Sequence, residues 1–265
     1  MKPLNMPVLD VRVTPDPSLT LPPPVRMAGT YRDVLQRGLG AHGLIDPART
    51  WRLGALGDAR TIFRGTPDPT TRLSASALLL WDWSGSQSGY VDTLQAGLDS
   101  IGSALSALNI PVWAGAYTTS RPRRSRTNTN DWHEMTVVAT VSEFGDRWDA
   151  RRVAALQYFP MVDTPTGPAL TYLRERILPT ARAGKKLIVV CTDGSSQPYG
   201  WEESETVKLR ARRDVRLVCL YCGDNPGMFE NVKAVYPVAA WAKDRAELPS
   251  AFAIALAALR NGGGV

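Results

Sequence analysis

From about residue 74 onward, short apolar runs alternate with segments of helical periodicity, and this alternation limits the folds that the chain can adopt. Runs such as ASALLLWD and KKLIVVCTDG are typical of strands that are buried on both faces. Between them, residues 88–108 carry apolar side chains at helical spacing, namely Val91, Leu94, Leu98, Ile101, Leu105 and Leu108. Alternating strands and helices predict an α/β fold, in which helices cover both faces of a mainly parallel sheet.

Six strands are predicted in this part of the chain, in the runs ASALLLWD, IPVWAGAYTT, WHEMTVVATVSEF, KKLIVVCTDG, VRLVCLYCG and KAVYPVA. The third run follows the second after only a short basic linker, so we expect these two strands to be antiparallel. Helices are also expected near 149–158, over 166–184 with a break at Pro179, in EESETVKLRARRD and in LPSAFAIALAALRN.

The chain is divided here into an N-terminal extension, residues 1–73, and one α/β domain, residues 74–262. Residues 1–28 are rich in proline and are expected to be extended. A short helix is expected at 31–38, and short strands or a hairpin within 50–72.

The composition and the cysteine pattern indicate a cytoplasmic protein with a substantial core. The chain is 44% hydrophobic, yet no apolar run approaches the ~20 residues of a membrane span, and the N-terminus lacks the apolar stretch of a signal peptide. Cys219 and Cys222 lie three positions apart in an apolar run, so a strand would place them on opposite faces. With Cys191 they are expected to be core residues, because nothing nearby completes a zinc site.

Oxygen-bearing side chains follow three of the predicted elements. In LLLWDWSGSQSGY, an apolar strand ends in Asp82 and continues to Ser84 and Ser86. Asp193 ends the strand VVCTDG, while Thr164 and Thr166 precede a helix in DTPTGPAL. The carboxyl ends of parallel strands share one edge of a sheet, and hard oxygen donors suit Mg²⁺. Each piece also has a purely structural explanation, as a helix cap for the hydroxyls and as a turn for Asp193–Gly194.

The segments DWSGS, TPTG and TDG together resemble the von Willebrand factor A domain and its metal-ion-dependent adhesion site. The resemblance covers residues 74–260 and implies a Rossmann-like, doubly wound, mainly parallel six-stranded sheet with one antiparallel edge strand. It implies Mg²⁺, or Mn²⁺, as the cofactor. The implied metal ligands are Asp82, Ser84, Ser86, Thr164 and Asp193, supported by Thr166, Gly85 and Gly194.

Within that family, TPTGPAL followed by GKKLIVVCTDG looks most like the C-terminal domain of CobT-type cobaltochelatase subunits and of related bacterial or phage proteins. The resemblance implies a protein-interaction module whose metal captures an acidic side chain of a partner, an AAA+ ATPase of the MoxR or CobS type. Such a complex inserts a metal or remodels a client. We expect no ATP hydrolysis by this chain itself, since it has no P-loop, and no other intrinsic catalysis. Two departures count against chelation itself: the chain lacks a long acidic N-terminal region, and Asp163 stands where a glycine commonly precedes T-x-T-G.

Two other functions compete with this interpretation. Mg²⁺ between two aspartates could support a metal-dependent phosphoester hydrolase, although no general base is evident. The net charge of +6 and the basic run RPRRSR could instead bind nucleic acid through Arg121, Arg123, Arg124 and Arg126. Nucleic acid is disfavoured, because no aromatic residues interleave with the arginines to stack on bases.

Overall fold

The computed structural model describes residues 7–19, 21, 44–45, 63–64, 75–107, 109–120, 135–182, 184–194, 196, 200–236 and 238–260. The strands are β1 (Val8–Arg12), β2 (Leu44–Ile45), β3 (Phe63–Arg64), β4 (Ala75–Asp82), β5 (Val112–Thr119), β6 (Thr136–Ser142), β7 (Lys185–Thr192), β8 (Val215–Tyr221) and β9 (Ala239–Trp241). The α-helices are α1 (Val91–Ala107), α2 (Ala150–Ala155), α3 (Thr166–Tyr172), α4 (Trp201–Arg210), α5 (Pro226–Val235) and α6 (Leu248–Arg260).

Seven of the strands form one sheet, in the order β1-β6-β5-β4-β7-β8-β9. The pairs β5–β4, β4–β7, β7–β8 and β8–β9 are parallel, whereas β6 is antiparallel to β5. This arrangement confirms the predicted α/β class and the predicted antiparallel pair. The central position of β4 places its carboxyl end between those of β5 and β7.

The strand β1 is the main difference from the six-stranded sheet expected from the sequence. It pairs in parallel with β6 and forms the outer edge, so the antiparallel strand β6 is second from the edge. Asp10 fixes this pairing, since its carboxylate accepts hydrogen bonds from Thr140 Oγ1 at 2.7 Å and from the Tyr172 hydroxyl at 2.5 Å. The sheet thus includes residues from the segment 1–73, which the sequence had placed outside the α/β domain.

The last part of the sheet also differs from the prediction. The run KAVYPVA, predicted as the sixth strand, includes the end of helix α5, and the strand lies later, at Ala239–Trp241. Helix α5 itself was not predicted. It begins after Asn225, whose side chain accepts hydrogen bonds from the backbone N–H groups of Gly227 and Met228, and Pro226 occupies the first turn.

Helices cover both faces of the sheet, because side chains of the buried strands alternate between two apolar clusters. Leu79 and Trp81 belong to one cluster, and Leu78 and Leu80 belong to the other. The first cluster is completed by side chains of α1, α2 and α6, among them Leu94, Leu98, Ile101, Leu105, Val153, Leu248 and Phe252. The second receives Ala169, Leu170, Leu209 and Val232 from α3, α4 and α5.

The cysteines are buried as predicted, with Cys219 in one apolar cluster and Cys191 and Cys222 in the other. In the segment 50–72, the described pair Phe63–Arg64 forms β3, which is antiparallel to β2. The helix predicted at 31–38 and the arginines of the 121–126 tip lie outside the described residues. No helix in the described ranges combines the length and the apolar character needed to cross a membrane.

Replacing Asp10 by alanine should destabilise the sheet edge. The buried Thr140 hydroxyl and the Tyr172 hydroxyl would lose a charged acceptor, at a cost of about 1–2 kcal/mol in the free energy of unfolding. Urea denaturation measures this difference. Leu9→Ala is the matched control, because Leu9 lies on the same strand with 45% of its surface exposed. An equal loss in both variants would contradict the role given to Asp10.

Candidate metal centre

The carboxyl ends of β4, β5 and β7 lie side by side and form what is called here the carboxyl edge. Asp82 and Thr192 are the last residues of β4 and β7, and Asp82 pairs in register with Tyr117 of β5. Backbone hydrogen bonds continue just past the strand ends, from Trp83 N to Tyr117 O at 2.9 Å and from Cys222 N to Thr192 O at 3.0 Å. The loops that leave these strands are therefore held close together.

The first loop turns Asp82, Ser84 and Ser86 toward one another. Asp82 is only 1% exposed, and its Oδ1 accepts a hydrogen bond from Ser84 N at 3.0 Å. The hydroxyl oxygens of Ser84 and Ser86 are 2.9 Å apart, and the Ser86 hydroxyl donates to Asp193 Oδ2. Ser84 precedes a 3-10 turn, Gly85–Tyr90, but its side chain makes no capping hydrogen bond. The Ser84 hydroxyl thus does not serve the alternative role of a helix cap.

The second loop, residues 159–165, carries Thr164 and leads into helix α3, and it is joined to the first loop at Val162. Val162 forms a bridge with Ser84, and Gly85 N donates to Val162 O at 2.7 Å. A Cβ atom on Gly85 would come within 3.1 Å of Val162 O, so a small residue favours this close approach. Helix α3 begins at Thr166 after Pro165, without a side-chain cap, so Thr164 is not its capping residue.

Two threonines at the end of β5 anchor this second loop. The hydroxyl oxygens of Thr118 and Thr119 accept hydrogen bonds from the backbone N–H groups of Val162 and Asp163, at 3.0 and 3.2 Å. Thr166, predicted as a supporting residue, is fully buried, and its hydroxyl lies 3.1 Å from that of Tyr117. Asp163, which stands where a glycine commonly precedes T-x-T-G, is exposed at the surface of this loop.

The third loop turns sharply at Gly194. This residue has a φ of +85°, which a side chain would strain, and an added Cβ would lie 2.7 Å from Met228 Cγ of helix α5. Gly194 N donates to Thr192 Oγ1 at 3.0 Å, and the Thr192 hydroxyl donates to Asp82 Oδ2 at 3.2 Å. The turn explanation is thus correct for Gly194, and the same turn holds Asp193 beside the first loop. Thr192 was not among the predicted site residues.

Burial dominates the electrostatics of the site. Burial, followed by the negative charge of Asp193, raises the pKa of Asp82 to about 8, although hydrogen bonds from Ser84, Thr192 and the Asp193 backbone oppose the shift. The buried hydroxyl of Tyr117 also has its pKa raised, first by burial and then by Asp82. An ionised Asp82 next to Asp193 needs a compensating positive charge.

The predicted ligands fit a divalent cation by this charge requirement and by their chemistry. Two carboxylates balance a charge of +2, and the serine and threonine hydroxyls add neutral oxygen donors, which Mg²⁺ and Mn²⁺ accept. No group of three His, Cys, Asp or Glu side chains placed to hold a metal occurs in the described ranges. Any metal at the carboxyl edge would therefore depend on the hydroxyls as well as on the two aspartates.

Comparisons with known proteins support the fold. No family model and no curated protein matches the chain. Proximal thread matrix protein 1 from the mussel byssus superposes with a TM-score of 0.50 and 15% identity, over 70% of this chain and 47% of that protein. The manganese-loaded TRAP protein of Plasmodium vivax gives a TM-score of 0.50 and 16% identity, over 69% of this chain and 73% of that one.

A von Willebrand factor type A protein from Catenulispora acidiphila gives a TM-score of 0.47 and 17% identity, over 70% of this chain and 42% of that protein. The chain thus spans less than half the length of the mussel and Catenulispora proteins. The sheet topology and the likeness to the mussel and Plasmodium proteins confirm the fold, which is the Rossmann-like von Willebrand factor A arrangement.

The raised pKa of Asp82 predicts how stability varies with pH in EDTA. The folded-state pKa of Asp82 exceeds the usual value of 3.8. Its contribution to the free energy of unfolding is therefore complete below about pH 4 and is lost as the pH rises through about 8. Wild-type protein should therefore lose stability relative to Asp82→Asn between pH 5.5 and 8.5, measured by urea denaturation. A constant difference between the two proteins across this range would contradict the prediction. With Mg²⁺ present the metal-induced rise in Tm should grow with pH, since the metal binds the ionised carboxylate.

Proposed function

We propose that this chain is a metal-dependent protein-interaction module. In this proposal Mg²⁺, or Mn²⁺, is held by Asp82, Ser84, Ser86, Thr164 and Asp193 and captures an acidic side chain of a partner protein. The observation that carries the proposal is the hydrogen-bonded path from Ser84 through Ser86 to Asp193, which joins two loops directly beside the buried Asp82.

The site has a buried side and an open side. Asp82, Ser84 and Thr164 are each at most 4% exposed, whereas Ser86 is exposed and Asp193 is partly exposed. A metal bound here would be coordinated by protein oxygens on the buried side of the site and would keep open coordination positions on the side that faces solvent. With only two carboxylates among its ligands, it would remain electrophilic enough to accept another carboxylate from outside.

The choice of ion rests on the donor set and on one structural neighbour. All proposed donors are oxygen atoms, which favours Mg²⁺ or Mn²⁺ over metals that prefer sulfur or nitrogen ligands. The TRAP protein of Plasmodium vivax, which shares the fold, is manganese-loaded. Both observations support a hard divalent cation in this chain.

For the partner, we propose an AAA+ ATPase of the MoxR or CobS type, acting in metal insertion or in client remodelling. This choice rests on the sequence resemblance of TPTGPAL and GKKLIVVCTDG to CobT-type subunits. A cytoplasmic location belongs to the same proposal.

Replacing Ser86 by alanine should weaken metal binding without unfolding the protein, because Ser86 is exposed. Thermal unfolding in EDTA and in 10 mM Mg²⁺ or Mn²⁺ tests this, since a ligand of the folded state raises stability by RT ln(1 + [L]/Kd). Wild-type Tm should rise with metal, and the rise should be largely lost in Ser86→Ala. Ser88→Ala is the matched control, since Ser88 is an exposed serine of the same 3-10 turn. If both variants kept the full metal-dependent rise, Ser86 would not be a ligand.

Binding of the partner should require both the metal and an acidic side chain. With a purified MoxR-type ATPase from the same source, we expect EDTA or Ser86→Ala to weaken binding by at least about tenfold, because a contact between opposite charges across the interface is lost. Biolayer interferometry in Mg²⁺ and in EDTA measures this. Binding that persists unchanged in EDTA would exclude metal-mediated capture, while a metal-binding chain with no affinity for the ATPase would exclude that partner alone.

A further inference from the structure

Thr192 connects the two acidic loops of the carboxyl edge through one hydroxyl group. It is the last residue of β7 and is fully buried. Its Oγ1 donates to Asp82 Oδ2 at 3.2 Å and accepts the backbone N–H of Gly194 at 3.0 Å. Asp193, the second predicted acidic ligand, lies in the turn between Thr192 and Gly194.

The direction of these two hydrogen bonds is fixed by the donors available. The Gly194 N–H can only donate, so it uses a lone pair of the Thr192 oxygen. In the metal-bound state that the proposed function requires, Asp82 is ionised and can only accept, so it receives the single hydroxyl proton of Thr192. Because both partners are satisfied only in this orientation, the hydroxyl sets where Asp82 Oδ2 lies relative to the turn that carries Asp193.

We propose that Thr192 is a positioning residue of the metal centre, which holds the carboxylate of Asp82 in register with Asp193 so that both can serve one divalent cation. This inference rests on the proposed metal-dependent function. Asp82 Oδ1 accepts a separate hydrogen bond from Ser84 N at 3.0 Å, and the Thr192 hydroxyl donates to the other oxygen, Oδ2.

Removal of the hydroxyl should affect metal binding more than folding. In Thr192→Val the shape of the side chain is kept, but Asp82 Oδ2 loses its hydroxyl donor and Gly194 N–H loses its acceptor. Residues that orient metal ligands typically change metal affinity by about 10–100-fold when they are replaced, and we expect a loss in that range. Thr192→Ser retains the hydroxyl and should bind within about threefold of wild type, since the same hydrogen bonds can form.

The experiment is a titration of wild type, Thr192→Val and Thr192→Ser with Mn²⁺, followed by electron paramagnetic resonance of the free ion. Urea denaturation in EDTA reports folding of each variant without metal. Thr140→Val is the matched control, because Thr140 is a buried strand threonine whose hydroxyl also donates to a carboxylate, Asp10 Oδ1, at 2.7 Å. It lies on β6, two strands from β4, and should leave Mn²⁺ affinity unchanged.

The outcomes separate this inference from the function on which it rests. Loss of affinity in Thr192→Val with retention in Thr192→Ser would support it. Equal affinity of wild type and Thr192→Val, or an equal loss in the serine and valine variants, would overturn it and leave the metal site intact. A wild-type protein that binds no Mn²⁺ would overturn the proposed function as well. If Thr192→Val does not fold, Thr192→Ala against Thr192→Ser gives the same comparison.

Discussion

The arrangement of the carboxyl edge depends on a carboxylate that is removed from water at the end of the central strand. Asp82 is 1% exposed and lies beside the negative charge of Asp193, so both its surroundings and its neighbour oppose ionisation. A group in this position is tolerated when other groups satisfy its oxygens, and Ser84 N, the Thr192 hydroxyl and the Asp193 backbone do so here. These donors compensate for lost hydrogen bonds with water, but they supply no positive charge, and that is the requirement which a divalent cation would meet.

The sheet topology places the end of β4, which carries Asp82, and the loop after β7, which carries Asp193, at the carboxyl edge. Strands β5, β4 and β7 are adjacent and parallel, so the loops after them leave from a common edge. Threonines at the ends of two of these strands then accept hydrogen bonds from backbone N–H groups of the loops. Thr118 and Thr119 at the end of β5 hold the loop that carries Thr164, and Thr192 at the end of β7 holds the turn that carries Asp193. The ligand loops are therefore attached to the most buried part of the molecule, which favours a preorganised site over one that forms only when metal binds.

The sequence was sufficient for the features that depend on local pattern. The buried strand ending at Asp82 and the core face of α1 follow from apolar runs and helical spacing, and both are present. Strand β1 depends on pairing with β6, more than a hundred residues later, and on the side chain of Asp10, which no local pattern reveals. The run KAVYPVA has β-branched and aromatic residues typical of a strand, but the cap formed by Asn225 and Pro226 starts helix α5 before it.

Thr192 was not predicted for a related reason. A threonine at the end of a strand is common, and only its two hydrogen bonds distinguish it.

The donor set also bears on how metal binding and partner binding would be coupled. Neutral hydroxyls supply many of the proposed donors, so they add little charge to hold a cation in the absence of further anions. A carboxylate from a partner would add that charge on the exposed side, next to Ser86 and Asp193. Metal affinity and partner affinity would then rise together, by reciprocal linkage, without any change in the position of the buried Asp82.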